Sequence, residues 1–575
     1  MYKTLFFKNK IRSILSVSLL LLLLSVEAVS LWRWLSIGWE PYSMLGVPVS
    51  CVYYIFLFFL FISFDFSYSL FHGETEELLQ TVPGGMKNIY KHIIRFMTVC
   101  VAGITALQAL LTAVFLTISG NTAADFFWYG MLYILIFTFL SSFAAVCYGS
   151  LAAKLRAYWK GCFLLLVPTV LNMTFFLDEI ISNISGHQQL LSSGIRLNLR
   201  PVFEFFMVCP EDIKCYTPTA YMWSLSPVLL ARLCFWCLFL YGLGCRGKRR
   251  SKGAVGRPGR IVYTLLCLAL LILSRLPYSD YQNDDNPWGS WSEKHTYYGN
   301  DAFGGIAKNQ PADFSATGYD IWLRLDTMLD AEVTLHLSQS VTKPFFTLNH
   351  NYTVSKICDW NGNSLDFIQE GDYISVQSDA ALDTLTFYYK GIDPAFYTNL
   401  QGIFLPGYLC YYPQPGYLLL GQKRNIYPDI YSRFLEHDAD FTVDITYHGG
   451  KIITNLDAAG SHTWKGTANG CTIISGMVET HSIEGVQVVC SSHDYAYYGE
   501  TALPELVRDM KAIGLPEDGS LYLITLGNEI GRFHTDGKQV FGDFASSDMK
   551  SYYQRYLETG SDVIQTDYDG TETDE

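Results

Sequence analysis

The sequence predicts an α-helical polytopic membrane domain, followed by an extracellular, mainly-β sandwich and a small α/β tail. Three observations predict it. The charge is split: residues 1–275 hold 23 Lys/Arg and 12 Asp/Glu, a net of +11, while residues 276–575 hold 17 and 42, a net of −25. The basic half contains long apolar runs and the acidic half contains none. The acidic half instead carries short stretches that alternate apolar and polar residues, which is the period of a half-buried strand. A basic, lipid-soluble half joined to an acidic, water-soluble half implies two compartments with a membrane between them.

The membrane elements come first along the chain. A span needs about 20 apolar residues. Seven runs qualify: 14–35, 47–70, 93–118, 126–152, 161–181, 222–244 and 261–277. The first is too long for a signal-peptide core, so it reads as a retained helix. The last is the shortest, with Arg275 near its end able to snorkel to the headgroups. Basic residues fall on alternate loops. One set holds 17, at Lys3 to Arg12, Lys87 to Arg95, Lys154 to Lys160 and Arg246 to Arg260. The other set holds four, namely Arg33, Arg196, Arg200 and Lys214. The positive-inside rule puts the rich set in the cytoplasm of a multi-pass plasma-membrane protein. With seven crossings the N-terminus is cytoplasmic and the C-terminal domain extracellular. The acidic overall balance argues against nucleic acid as a partner, because phosphate contacts need a basic surface. Membrane lipids are the implied surroundings.

Two acids, Glu27 and Asp65, lie at or near membrane depth, where an ionisable side chain is a functional candidate. Asp65 reads better as a helix-end residue. Eight of the fourteen cysteines lie in or beside apolar runs, where Cys behaves as a small hydrophobe. The remaining six, Cys209, Cys215, Cys358, Cys410, Cys471 and Cys490, lie in polar regions, and their pairing is not deducible from spacing. Cys234-Phe-Trp-Cys237 sits inside an apolar helix and has no metal-site partners.

The loop after the second run reads Gly73-Glu-Thr-Glu-Glu-Leu-Leu-Gln-Thr-Val-Pro83-Gly-Gly. A basic amphipathic stretch follows, with Lys87, Lys91 and Arg95 beside Ile89, Ile93 and Phe96. This helix–break–helix pattern resembles the first cytoplasmic loop of ABC type-2 exporter permeases. The resemblance implies a six-helix permease unit over residues 1–245 plus one extra span within 246–277. It implies a separate cytoplasmic ATP-binding subunit as partner, and a second permease copy or a paralogous permease to complete the membrane pair. It also implies that Glu74, Glu76, Glu77, Thr81 and Pro83 mark the ATPase-coupling loop. The chain has no GxxxxGK[ST] phosphate loop, so any ATP hydrolysis belongs to the partner.

The outer half opens with a linker, 278–314, rich in Asp, Asn, Gly and Tyr. Strands follow at Tyr319–Leu325, Ala331–Leu337, Tyr373–Gln377, Thr384–Tyr389, Phe441–Tyr447 and Lys451–Asn455. Turn signals such as Asn361-Gly-Asn separate them. They predict an antiparallel sandwich over 315–495. Residues 496–560 read as an α/β segment, with Leu503, Leu506, Val507 and Met510 at helical spacing, a strand at 521–525 and a second helix at 547–558. The tail, 561–575, is acidic and reads as disordered.

The strand string resembles the N-terminal β-domain of aminopeptidase-N-type zinc metallopeptidases. The matching residues are Tyr319-Asp-Ile-Trp-Leu-Arg-Leu-Asp326, Phe346-Thr-Leu-Asn-His-Asn-Tyr-Thr-Val-Ser-Lys-Ile and Gly402-Ile-Phe-Leu-Pro-Gly-Tyr408. That family's chemistry needs His-Glu-x-x-His, two zinc ligands one helical turn apart with a general base between them. None of the twelve histidines precedes a Glu or has a His four positions on. The sequence therefore predicts no catalytic residue, no metal and no cofactor. His437, His448 and His534 read as surface or turn residues. The aromatics Phe404, Tyr408, Tyr411 and Tyr412 are candidate ligand contacts, or else braces of a loop against the sandwich. The functional expectation is the membrane-spanning permease subunit of an ABC-type exporter with a catalytically inactive outer domain. The competing expectation is a membrane-anchored extracellular binding or sensory protein.

Overall fold

The computed structural model describes residues 10–37, 43–72, 85–118, 124–173, 205–209, 227–245, 257–276, 297–298, 306–393, 396–400, 402–424, 427–431, 433–476, 478–491, 495, 499–524, 533–542 and 549–560. The chain divides into two compact units. One comprises residues 1–215 with 223–276, and the other residues 216–222 with 277–575.

The first unit is helical. Its helices are α1 (Lys10–Ile37), α2 (Ser43–His72), α3 (Gly85–Ile118), α4 (Ala124–Ala152), α5 (Tyr158–Leu171), α6 (Pro227–Cys245) and α7 (Arg257–Leu273). The closest packing is α2 against α4, and small residues explain it. A Cβ on Gly149 would stand 2.4 Å from the Leu60 carbonyl oxygen, so only glycine lets the two backbones approach this far. The Ser67 hydroxyl donates to Ser150 Oγ at 2.9 Å along the same seam. Outward faces are apolar, as at Leu21, Leu22, Val26 and Val29 of α1 and Ile261, Val262 and Leu265 of α7. In water such faces would be a large unpartnered patch.

Among the described residues, five helical stretches suffice by length and composition to cross a membrane: Arg12–Arg33, Ser50–His72, Ile89–Phe115, Ile134–Ala152 and Val228–Cys245. The sequence implied seven. Among the described residues, the fifth apolar run contributes the 14-residue α5 and the seventh the 17-residue α7. The reason for the first is local. Pro168 lies in the last turn of α5, and Asn172 ends the helix by donating through Nδ2 to the Pro168 carbonyl at 2.8 Å. Asn172 Oδ1 then accepts from the backbone N–H groups of Val208 and Cys209 at 2.7 and 2.9 Å, so the chain at 207–209 packs where a longer helix would continue. After α7, Arg275 is exposed. Its guanidinium lies 4.4 Å over the Phe205 ring.

The second unit is mainly β. A seven-stranded sheet runs in the order 457–458, 463–468, 439–446, 316–324, 329–341, 382–391, 352–359. Its strands show the two-residue period directly: Ala439, Phe441, Val443 and Ile445 point inward, as do Leu329, Ala331, Val333 and Leu335. Strand 316–324 pairs in parallel with 439–446, Gly318 opposite Asp440, and every other pairing in this sheet is antiparallel. Two four-stranded sheets, one built on 373–377 and one on 402–405 with 473–475, complete the layers. The hairpin 478–491 falls outside the sandwich assigned to 315–495. It joins 520–523, 539–542 and 533–535 in a five-stranded mixed sheet, with 486–491, 520–523 and 539–542 mutually parallel. Helices α8 (Ala502–Ala512) and α9 (Met549–Thr559) cover it through Leu503, Val507, Met510, Met549 and Tyr553.

Candidate functional site

The expected ATPase-coupling residues Glu74, Glu76, Glu77, Thr81 and Pro83 lie outside the described residues. The chain becomes describable where that loop enters α3, and there Tyr90 fastens three helices together. Its side chain is 5% exposed. Its hydroxyl lies 3.3 Å from the carbonyl oxygens of Cys147 on α4 and Leu240 on α6. The Lys154 ammonium sits 4.6 Å over the Tyr90 ring and donates to the Gly244 carbonyl. Gly244 itself must be glycine, because a Cβ there would fall on the Tyr90 ring. At the same end of the bundle Arg12 Nε donates to Asp65 Oδ2 at 2.5 Å, and the Arg12 guanidinium lies 5.6 Å over Phe66. The ion pair explains Asp65, the acid expected near a helix end.

Glu27 has a different environment. It is 1% exposed, in the C-terminal half of α1 and away from the Arg12–Asp65 pair. It faces α3, where Thr105, Gln108 and Thr112 share one face at three- and four-residue spacing and are all buried. Gln108 is the hub. Its Nε2 donates to the Pro48 carbonyl on α2 at 2.9 Å, and its Oε1 accepts from Thr138 Oγ1 on α4 at 2.7 Å. Its side chain also hydrogen-bonds the Glu27 carboxyl. Glu27 Oε1 and Thr105 Oγ1 are buried without a hydrogen-bond partner. Sequence reading singled out Glu27 but missed Gln108 and the three threonines. The detectable signal was polar residues recurring every three or four positions inside an otherwise apolar run.

In the second unit the four candidate aromatics are all interior, with Phe404, Tyr408, Tyr411 and Tyr412 at most 4% exposed. The Tyr411 hydroxyl donates to the Cys471 carbonyl at 2.9 Å, and the Tyr412 oxygen accepts from Cys471 N at 3.4 Å. The Tyr408 ring stacks on His534 at 4.0 Å, linking the sandwich to the mixed sheet. Burial drives the Tyr411 and Tyr412 hydroxyls well above the ordinary tyrosine range, and pushes the Cys471 thiol up to about 12. These rings brace the core in this structure. A ligand reaching them would have to displace that packing.

Of the histidines read as surface or turn residues, His448 is exposed, whereas His534 is 3% exposed inside the strand 533–535. His448 Nδ1 bonds Asp326 Oδ2 at 2.7 Å on the surface, and His534 lies under Tyr408. His350, which was not singled out, bonds the fully buried Asp372 through both its backbone N–H and Nδ1, each at 2.8 Å, and stacks on Tyr297 at 3.5 Å. Together with Asp393, which accepts from Asn349 and Asn351, Asp372 clamps the turn at 349–351. Among the described residues no three His, Cys, Asp or Glu side chains converge as a metal site. Cys209, Cys358, Cys410 and Cys471 are free thiols, and Cys215 lies outside the described residues.

No family model and no characterised sequence matches the chain. Solved structures that it is similar to include a hydrolase and a zinc metallopeptidase. One is the native yeast LTA4 hydrolase, at 11% identity and TM-score 0.29, covering 43% of this chain and 44% of that one. Another is the M1 zinc metallopeptidase from Deinococcus radiodurans, at 14% identity and TM-score 0.29, covering 44% of this chain and 66% of that one. A variant of the bacterial enzyme bound to a Tyr-Ser-Ala substrate aligns at TM-score 0.30. The chain thus spans less than two thirds of either enzyme.

Proposed function

We propose that the chain is the membrane-spanning permease subunit of an ABC-type exporter, driven by a separate cytoplasmic ATPase and carrying an outer domain without peptidase chemistry. The observation that supports this reading best is Tyr90. The loop whose residues resemble an ATPase-contacting element runs directly into a helix start that is bonded to α4 and α6 at once. A push on that loop is passed to two further helices through one buried ring and the Lys154 cation above it. Interfaces packed this densely move as units and do not deform continuously. A second permease copy or a paralogue completes the membrane pair in this reading.

The outer domain is read as inactive because no His-Glu-x-x-His supplies zinc ligands and a base. The experiment is purification of the intact complex in mild detergent, followed by ATP hydrolysis measurements with and without Tyr90→Ala. The reading expects a co-purifying ATPase whose turnover responds to the permease and loses that response in Tyr90→Ala. Retention of no ATP-binding subunit favours the membrane-anchored binding protein instead.

A further inference from the structure

We propose that Glu27 is a proton-binding site inside the membrane unit, holding one exchangeable proton on its carboxyl and releasing it to water only when the α1–α3 seam opens. The geometry points there from three directions. The side chain is 1% exposed within an apolar span. Its known partner is the neutral Gln108 amide, and its Oε1 has none. The cluster around it, made of Gln108, Thr105, Thr112, Thr138 and the Pro48 carbonyl, contains no cation.

An unpaired carboxylate in such a place costs far more than a neutral acid that lacks one hydrogen bond. The neutral acid therefore wins. The charged and titratable groups on the surrounding helices do not reverse this. On α1, Arg12 is about 22 Å away along the axis, and Arg33, about 9 Å away, is exposed. On α2, Asp65 is paired with Arg12, and the Tyr53 hydroxyl donates to the Thr169 carbonyl; Cys51 and Tyr54 complete its titratable set near Pro48. On α3, Cys100 and Arg95 lie about 12 and 20 Å from Gln108 along the axis. The α4 contribution is the Thr138 hydroxyl, which is spent on Gln108.

Exchange is simple acid–base chemistry. The carboxyl O–H bond breaks, its electron pair stays on oxygen, and the proton passes to a water molecule that enters the seam. Release leaves a charge that the closed seam cannot hold, so proton exchange and opening are linked. This site stands independently of the exporter reading, and its test uses neither ATP nor a partner subunit.

The test is difference infrared spectroscopy of the full-length protein in lipid vesicles, titrated with pH and compared between wild type and Glu27→Gln. The expected result is a carboxylic-acid carbonyl band that persists at neutral pH, is lost in Glu27→Gln and moves in Glu27→Asp. Should Glu27→Gln fail to fold, the moved band in Glu27→Asp still assigns the group. Absence of an acid band at neutral pH overturns the proposal. So does a band in Glu27→Gln and Glu27→Asp identical to the wild type. A band abolished by adding sodium at fixed pH also overturns it, and reassigns the cluster to a metal cation.

Discussion

Replacing Tyr411 with Phe separates a bracing role for the buried aromatic loop from a ligand-contact role. The ring stays, and only the hydroxyl that donates to the Cys471 carbonyl at 2.9 Å is removed. Tyr411 is fully buried, so water does not replace the lost donor. Leaving a buried carbonyl short of a partner costs about 1–3 kcal/mol. At about 2–4 °C per kcal/mol for a domain of this size, the unfolding midpoint falls by about 2–12 °C. Tyr411→Ala adds the loss of a core ring and costs about 3–5 kcal/mol. The assay is thermal unfolding of the full-length protein, followed by thiol labelling mapped by mass spectrometry to Cys410 and Cys471. Both thiols are buried and pushed upward by that burial, so they react only once the core opens. If Tyr411→Phe labels at the wild-type temperature and Tyr411→Ala follows it, the loop is not part of the folded core and the reasoning fails.

Gly149→Val should loosen or misfold the helical unit, because its new side chain meets the Leu60 carbonyl, a backbone atom that cannot swing aside. Overpacking of this kind costs about 1–3 kcal/mol, read as a lower detergent-melting temperature. Asp536 is pushed above the usual carboxylate range by burial, against the pull of hydrogen bonds from Gln539 and Lys538. Its folded form therefore holds a proton more readily than its unfolded form. Stability from this group grows as pH falls through the acid range and is lost as pH rises. Asp536→Asn should flatten that slope in a pH series of melting temperatures. Adding reductant should leave the melting of the second unit unchanged, since Cys358, Cys410 and Cys471 are free thiols.

The strands were legible because each has one wet face. Phe441–Tyr447 and Ala331–Leu337 alternate strictly, and both lie in the large sheet, the first within two residues of its expected bounds and the second extended by two residues at its start and four at its end. The α8 helix was legible for the same reason at the 3.6-residue period, through Leu503, Val507 and Met510. Parallel pairing was not legible. Alternation tells which side of a strand is buried but not which neighbour lies beside it, so the alliance of 486–491 with 520–523 and 539–542 went unseen. In the helical unit, hydropathy found the runs, and among the described residues two of them form shorter helices than the other five. It weighs Leu and Phe heavily and is nearly blind to Pro168 and Asn172, which end α5 early. The Glu27 cluster was half legible. The acid stands out in an apolar run, whereas its partners on α3 and α4 become neighbours only when the helices pack.

The account's central claim is that the loop leading to Tyr90 couples this chain to an ATPase. Its most direct test is the ATPase activity of the complex purified on the full-length chain, compared between wild type and a variant with Glu74, Glu76 and Glu77 each replaced by Lys. The account predicts that an ATP-hydrolysing subunit co-purifies with the wild type and is lost or falls at least about tenfold with the variant, equivalent to about 1.4 kcal/mol of binding. No ATPase on the wild-type chain, or equal retention by the charge-reversed one, contradicts it.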